Sequence, residues 1–284
     1  MKLLRYGPAG AEQPGLLDAT GVLRSLAAHV RDIGPAELSP ASLTRLARID
    51  PSSLPAVSGN PRLGAPVACI GKFVAIGLNY SDHAAEARMP IPAEPVVFLK
   101  ATSCICGPND AIRIPRGSLK TDWEVELGLV IGTRASYVTR ERALEHVAGF
   151  LTVNDVSERS YQHERAGSWD KGKGCDSFGP LGPWLVTRDE VPDPQSLACW
   201  LDVNGERRQS GSTSKMIFDC ATLVSYVSEF MTLHPGDVIT TGTPAGVGAG
   251  RKPPQYLKPG DIVELSVEGL GRQRQVCEAW SASG

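Results

Sequence analysis

Three carboxylates lie on two strand-like segments and could bind a cation together. The stretch KTDWEVELGLVIG, residues 120–132, carries Glu124 and Glu126 within a run of apolar, β-prone residues. Residues two apart on a strand point to the same face, and at about 3.3 Å per residue they are separated by about 6.6 Å. Two carboxylates directed at one point repel each other unless a cation lies between them. Asp155 ends a second apolar segment, GFLTVND, from which its short side chain could reach the same point.

Oxygen ligands of this kind suit a hard divalent ion, Mg²⁺ or Mn²⁺. Each residue also has a simpler explanation. Glu124 and Glu126 could lie on a solvated sheet face, and Asp155 could be the N-cap of a helix in VSERSYQ. The two cysteines of the C-x-C pair, Cys104 and Cys106, lack the second pair that a structural zinc site would need.

A possible general base lies upstream. In SDHAAEA, His83 and Glu86 are three residues apart and become neighbours if the segment is helical. A carboxylate that orients a histidine stabilises the imidazolium formed when the ring accepts a proton. A polar pair on a surface helix is the alternative. The proline-rich MPIPAEP that follows could act as the hinge of a lid.

Two glycine-rich segments could approach a bound anion. GSWDKGKGCDSFGPLGPW presents Lys171 and Lys173 on what its glycines predict to be a loop. HPGDVITTGTPAGVG predicts a strand followed by a loop whose amides, together with the hydroxyls of Thr241 and Thr243, could bind an anion. The spacing of this second segment does not match a nucleotide-binding P-loop.

The composition excludes several classes of protein. The chain has 284 residues, a formal net charge of −2 and 42% hydrophobic residues, so nothing favours nucleic acid or an anionic membrane as a partner. No apolar stretch has the length of a signal peptide or a membrane span. The seven scattered cysteines do not form a disulfide framework. A cytoplasmic protein with a small anionic ligand is expected.

The order of predicted elements indicates an α+β, β-rich fold. Residues 1–66 predict a small N-terminal α/β domain, because DPSSLPAVSGNPRLGAP is rich in turn-forming residues and marks a boundary. Residues 67–284 predict many short strands and few helices, the clearest in TRERALEHV and CATLVSYVSEFM. Since strands and helices do not alternate regularly, a β-sandwich or roll is favoured over a Rossmann or TIM fold.

Eight segments in order resemble one known family. IGLNYSDHAAE, FLK, GP at residues 107–108, DWEVELGLVIG, NDVSERSYQ, KGKGCDSFGPLGPW, VNGERRQ and LHPGDVITTGTPAGVG together resemble the fumarylacetoacetate hydrolase family over nearly all of residues 70–270. The resemblance implies a mixed β-sandwich roll, a divalent metal, usually Mg²⁺ with Mn²⁺ as the alternative, and a homodimer.

The resemblance also implies roles for ten residues. The metal ligands would be Glu124, Glu126 and Asp155. His83 and Glu86 would form the water-activating dyad. Lys173 would contact the oxyanion or carboxylate of a bound keto acid. Arg159, Gln162, Lys100 and Thr243 match substrate-binding or supporting positions. Two residues depart from the family pattern: Arg88 follows the dyad where glycine is common, and Cys175 replaces a serine or threonine.

The implied activity is metal-dependent hydrolysis of a C–C bond in an acylpyruvate-type 2,4-diketo acid. The N-terminal segment and KTDWEVELG look most like the subgroup that cleaves 2,4-diketo-3-deoxy-L-rhamnonate or L-fuconate to pyruvate and L-lactate. Oxaloacetate decarboxylation, or isomerisation or decarboxylation of hydroxymuconate-type diacids, are the alternatives on the same scaffold. A metal-binding protein or ligand sensor without turnover is the non-enzymatic alternative.

Overall fold

The structure, a computed structural model, describes residues 1–282. Within these residues the strands are β1 Lys2–Tyr6, β2 Gln13–Leu17, β3 Leu23–Ser25, β4 Phe73–Gly77, β5 Val96–Lys100, β6 Ile105–Cys106, β7 Ile112–Ile114, β8 Thr121–Asp122, β9 Val125–Ile131, β10 Val147–Asn154, β11 Ser157–Glu158, β12 Gly179–Thr187, β13 Ala198–Val203, β14 Glu206–Ser212, β15 Val238–Thr240, β16 Ile262–Val267 and β17 Arg272–Ala279. The α-helices are α1 Pro40–Ala47, α2 Ser81–Ala87, α3 Arg140–Ala143, α4 Arg159–His163, α5 Trp169–Lys173 and α6 Cys220–Phe230.

A large mixed sheet is the centre of the fold. Its strands follow the order β3-β2-β1-β12-β10-β9-β15-β4-β5, with β6 paired to β12. A second sheet has the order β14-β13-β16-β17-β7. Strand β9 packs against β13 and β16 of this second sheet, and all seven of its residues are buried. The β-rich α+β prediction is confirmed.

The pairing of β9 with β10 brings the predicted metal ligands together. The strands are antiparallel, with Glu126 opposite Val153 and Val125 opposite Asn154. The backbone N–H of Asp155 donates to the carbonyl of Glu124 at 2.9 Å. The residue before β9 therefore lies beside the residue after β10, although thirty residues separate them in the chain.

The N-terminal strands continue the large sheet. Strand β1 pairs with β12, with Lys2 opposite Val186 and Leu3 opposite Leu185. A bidentate ion pair joins Arg62 to Asp110, with Nη2 and Oδ2 2.6 Å apart. The domain boundary at residue 66 stays a prediction. Separation of the two parts of the chain at that position would break these contacts.

Two local predictions are corrected. The glycine-rich segment that carries Lys173 is the short helix α5 rather than a loop. The helix packs tightly at Gly172, where an added Cβ would lie 2.6 Å from the carbonyl oxygen of Glu158. The predicted helix in TRERALEHV is confirmed only over Arg140–Ala143, and a 3₁₀ turn completes it.

Helix α2, which carries the predicted dyad, ends in a left-handed residue. Arg88 has φ 55° and caps the helix with hydrogen bonds to the carbonyls of Ala84 and Ala85. Glycine adopts this conformation most easily, which explains why glycine is expected there. The Arg88 side chain is exposed. None of the helices in residues 1–282 is long and apolar enough to cross a membrane.

Candidate metal centre and active site

The three predicted carboxylates form one buried cluster. Glu124, Glu126 and Asp155 each direct an oxygen to a common region, and these oxygens lie within 4.8 Å of one another. Their exposures are 5%, 1% and 1%. Glu124 and Glu126 therefore do not lie on a solvated sheet face. Asp155 follows β10 and lies at the site, and the N-cap of α4 is Glu158 instead.

Two cations compensate the charge of Glu124. Oε1 accepts a hydrogen bond from Arg159 at 2.6 Å, and Oε2 accepts one from the ammonium of Lys173 at 2.6 Å. Burial alone would raise the pKa of Glu124, but the charges of Lys173 and Arg159 lower it to about 2. Lys173 also donates to Asp155 Oδ2 at 2.7 Å. Glu124 is thus ionised at neutral pH.

Within residues 1–282, no lysine or arginine forms an ion pair with Glu126. Its Oε2 accepts hydrogen bonds from the hydroxyl of Thr240 at 2.5 Å and the amide of Gly242 at 2.8 Å. Burial, followed by the charges of Asp155 and Glu124, raises the pKa of Glu126 well above its ordinary value. A further positive charge beside Glu126 would favour its ionised form.

The cluster fits a divalent ion. All three donors are carboxylates, which hard ions such as Mg²⁺ and Mn²⁺ prefer, and the raised pKa of Glu126 indicates a local deficit of positive charge. Glu124, Glu126 and Asp155 would hold the ion. This donor set does not distinguish Mg²⁺ from Mn²⁺.

His83 and Glu86 form a hydrogen-bonded pair at the same cavity. His83 Nδ1 lies 3.2 Å from Glu86 Oε2. Glu86 also accepts from the amide of Gly246, 3.0 Å from each carboxylate oxygen. Partial burial would raise the pKa of Glu86, but the hydrogen bonds from His83 and Gly246 outweigh it and lower the pKa. An ionised Glu86 favours the His83 tautomer protonated at Nδ1, which leaves Nε2 able to accept a proton.

Residues 241–250, which we call the glycine loop, bind the protein's own carboxylates. The amide of Gly242 donates to Glu126, that of Gly246 to Glu86, and that of Gly248 to Asp122 at 2.7 Å. The predicted loop is confirmed, but these amides are not free for an anion.

The hydroxyls of this loop are engaged as well. Thr241 Oγ1 donates to the carbonyl of Leu127 and Thr243 Oγ1 to that of Val125, both at 2.9 Å. Gln209 donates to Thr243 Oγ1 at 2.8 Å. Thr243 lines the cavity, and its proposed contact with substrate stays a prediction.

The remaining predicted residues lie around the cluster. Lys100 is buried behind it, with its ammonium 2.5 Å from Asp155 Oδ1 and 2.5 Å from the carbonyl of Lys173. Gln162 is buried and accepts from Arg159 at 3.0 Å. Lys171 is exposed and donates to the carbonyl of Arg165. Lys100 is thus a supporting residue, Gln162 lines the cavity, and Lys171 lies outside it.

Sequence reasoning missed Asp122. Its carboxylate accepts from Arg159 Nε at 2.8 Å and from the amides of Gly248 and Ala249 at 2.7 and 3.0 Å. It therefore fixes both Arg159 and the glycine loop. The signal was in the sequence, because Asp122, Glu124 and Glu126 are spaced at intervals of two, as residues on one face of an extended segment are, although Asp122 lies on β8 and Glu126 on β9.

A cavity of about 540 Å³ opens above the cluster. The dyad, the three carboxylates, Arg159 and Lys173 line one part of it. The other part is apolar and includes Phe98, Trp169, Val247 and Met89. Phe98 and Trp169 were not singled out from the sequence, since an aromatic residue in a strand or short helix is most often a core residue.

The chain is similar to known proteins over its full length. Residues 72–277 match the family "Fumarylacetoacetate (FAA) hydrolase C-terminal". A protein of Burkholderia multivorans, provisionally named a hydrolase with no substrate given, is 64% identical over 280 residues, which cover 98% of this chain and 99% of that protein.

Two solved structures show the range of activities on this fold. A 5-carboxymethyl-2-hydroxymuconate delta-isomerase from Mycobacterium smegmatis is 33% identical, with a TM-score of 0.78, and the match covers 99% of this chain and 100% of that one. A maleylpyruvate hydrolase from Sphingobium sp. SYK-6, in complex with manganese(II) and pyruvate, is 25% identical, with a TM-score of 0.82 and the same coverage.

The matched segment of 206 residues contains all ten predicted site residues, including the carboxylate cluster and the dyad, and it contains the glycine loop. The family assignment thus rests on the part of the chain that builds the site. The chain belongs to the fumarylacetoacetate hydrolase family.

Proposed function

We propose that the protein hydrolyses a C–C bond in a 2,4-diketo acid of the acylpyruvate type. One observation carries the proposal: the three-carboxylate cluster, the His83–Glu86 pair and Lys173 line a single cavity. A metal-binding or sensor protein would not require a histidine–carboxylate pair beside its ion. Such a pair is what general-base activation of water needs.

The carboxylate cluster would hold Mg²⁺, with Mn²⁺ as the alternative. When bound there, the ion supplies Lewis-acid polarisation and a template for the oxygens of a 2-oxo acid. Lys173 adds a buried ammonium at the same end of the cavity, where it can donate a hydrogen bond to a substrate oxygen. Arg159 keeps Glu124 in place through its contacts with Glu124 and Asp122.

The dyad would supply the nucleophile. His83 Nε2 accepts a proton from water, Glu86 stabilises the imidazolium, and the water oxygen adds to the C4 carbonyl of the substrate. The C3–C4 bond then breaks, and its electron pair goes to C3 as the enolate of pyruvate. Lys173 donates a hydrogen bond to the developing charge. Return of the proton to C3 yields pyruvate, and the acyl group leaves as a carboxylic acid.

The acyl group defines the substrate within this class. The sequence resemblance points to 2,4-diketo-3-deoxy-L-rhamnonate or L-fuconate, in which cleavage yields pyruvate and L-lactate. Acetylpyruvate carries the smallest acyl group that contains the same bonds. Comparison of the cleavage rates of acetylpyruvate and the sugar acid tests the reaction separately from the preference for an acyl group.

Isomerisation is the second candidate, because the structural relatives include the hydroxymuconate delta-isomerase. Neither isomerisation nor decarboxylation of oxaloacetate consumes water. Hydrolysis in ¹⁸O-labelled water would place label in the carboxylic acid product, whereas the alternatives would not.

Release of pyruvate, measured with lactate dehydrogenase, tests the proposal directly. We expect 2,4-diketo acids to yield pyruvate with Mg²⁺ present, the rate to fall to background after EDTA, and excess Mg²⁺ to restore it. Oxaloacetate and a hydroxymuconate diacid serve as the competing substrates. Turnover of these without cleavage of any acylpyruvate would overturn the proposal.

A further inference from the structure

The apolar part of the cavity is built by an aromatic pair beside the catalytic end. The rings of Phe98, on β5, and Trp169, at the start of α5, are in edge-to-face contact with centroids 5.3 Å apart. The imidazole of His163 packs edge-on to the same indole at 6.0 Å. The ammonium of Lys173 lies 5.5 Å from the centre of the Phe98 ring. The aromatic pair is therefore next to the group that would bind the keto-acid head.

The fold holds this pair in place. A Cβ at Gly77 would lie 2.4 Å from Cζ3 of Trp169, so the indole packs directly on the β4 backbone. The side chain of Asp170 accepts a hydrogen bond from the amide of Leu99 at 3.1 Å, which attaches α5 to the outer edge of β5. The two rings thus form a fixed wall rather than mobile surface side chains.

Two polar side chains near this wall, Arg159 and Thr243, are already paired. Arg159 bonds to Asp122, Glu124 and Gln162, and the Thr243 hydroxyl donates to a backbone carbonyl. A substrate hydroxyl placed against the faces of the two rings would lose water and gain no partner from Arg159 or Thr243, which is unfavourable. A methyl or methylene group in the same place would gain from leaving water.

We propose that the Phe98–Trp169 wall selects 2-oxo acids whose substituent beyond C4 is apolar, over those that carry hydroxyls. The inference rests on the proposed function for the orientation of the substrate, with its acid head at the cluster and its acyl group at the wall. It predicts that an apolar acylpyruvate is a better substrate than the hydroxylated sugar acid of the same carbon skeleton.

Binding of 2-oxo acids that lack a C4 carbonyl tests the wall without turnover. Calorimetry in Mg²⁺ would compare pyruvate, 2-oxohexanoate and 2-oxooctanoate. We expect the Kd to fall by about twofold to fourfold per methylene, which is about 30-fold to 1,000-fold over the five methylenes of the series. 5-Hydroxy-2-oxohexanoate should bind about tenfold more weakly than 2-oxohexanoate.

Variants locate the effect. Trp169→Ala should reduce the ratio of the pyruvate Kd to the 2-oxooctanoate Kd by about tenfold, and Phe98→Ala serves as the second variant should the first misfold. Trp280→Ala removes a partly exposed indole that stacks on Arg116 outside the cavity, and the ratio should stay unchanged. A ratio that does not depend on chain length in the native protein, or that is unchanged in both wall variants, would overturn the inference.

Turnover separates this inference from the proposed function. Propionylpyruvate and 2,4-diketo-3-deoxy-L-rhamnonate differ only by the hydroxyl at C5, and we expect kcat/KM to be about tenfold higher for the former. If neither is cleaved but the binding series behaves as expected, the proposed reaction is wrong and the wall stands. If both are cleaved and the hydroxylated acid is preferred, the reaction stands and the wall does not select as proposed.

Discussion

Single residues determine whether the site can activate water. The contact of His83 Nδ1 with Glu86 Oε2, at 3.2 Å, orients the ring and leaves Nε2 as the base. We expect His83→Ala to lower kcat by about 10²-fold or more, the usual size of general-base effects. Because His83 is not a ligand of the carboxylate cluster, the affinity for Mg²⁺ should change by less than about twofold. Coupled pyruvate release and calorimetric metal titration measure the two quantities.

His146→Ala is the matched control for this prediction. His146 is partly buried, its Nδ1 contacts the carbonyl of Arg134 at 2.9 Å, and it lies outside the cavity. This variant should retain native kcat. Near-native turnover in His83→Ala would refute the assigned role of the base, whereas an equal loss in both variants would point to an effect on folding.

At the scale of elements, the glycine loop ties three separate parts of the site together. Its amides donate hydrogen bonds to Glu126 on β9, Glu86 on α2 and Asp122 on β8. Gly246 has φ 107°, and a Cβ there would lie 2.1 Å from the carbonyl oxygen of Arg208. Glycine is therefore required at 246 for both conformation and space.

Gly246→Ala should therefore displace the amide that binds Glu86. We expect kcat to fall by about tenfold or more, because the dyad loses the partner that positions it. Gly260→Ala is the control, since Gly260 has a similar φ of 93° but nothing within 4 Å of an added Cβ. Both variants should lose about 1–3 kcal/mol of unfolding free energy from backbone strain, measured by urea denaturation, but only Gly246→Ala should lose activity. Equal activity in the two would show that the loop does not position Glu86.

These elements also show where sequence reasoning works. The two-residue spacing predicts that Glu124 and Glu126 share a face, and the structure places both at one cluster with Asp155. The same spacing includes Asp122, which was missed because its partners, Arg159 and the amides of the glycine loop, are 37 and about 126 residues away. From the sequence alone, the amides of the glycine loop are predicted to be free donors. The local sequence does not show which carboxylates the register of β9, β10 and β15 brings to them.

At the scale of the whole molecule, the site and the N-terminal segment share one sheet. Strand β1 pairs with β12, β12 with β10, and β10 with β9, which carries Glu126. Detachment of β1 would leave the part of β12 at Leu185 and Val186 as an unpaired edge and would expose Leu3 and Leu4 of β1, whose exposures are 0% and 1%. The sequence predicts a separate domain up to residue 66, since turn-forming residues mark a boundary but do not reveal which strands pair across it.

This connection predicts that metal binding stabilises the entire chain at once. An ion held by the native carboxylates and absent from the unfolded chain should raise the unfolding free energy by about 2.7 kcal/mol at a concentration 100 times its Kd. We expect a single calorimetric transition that shifts as a unit when Mg²⁺ is added, because continuous pairing joins β1–β3 to the strands of the site. Glu126→Gln should abolish the shift, while Glu141→Gln, on an exposed helix remote from the cluster, should leave it intact. Two transitions, with the earlier one insensitive to Mg²⁺, would instead establish that residues 1–66 unfold as an independent domain.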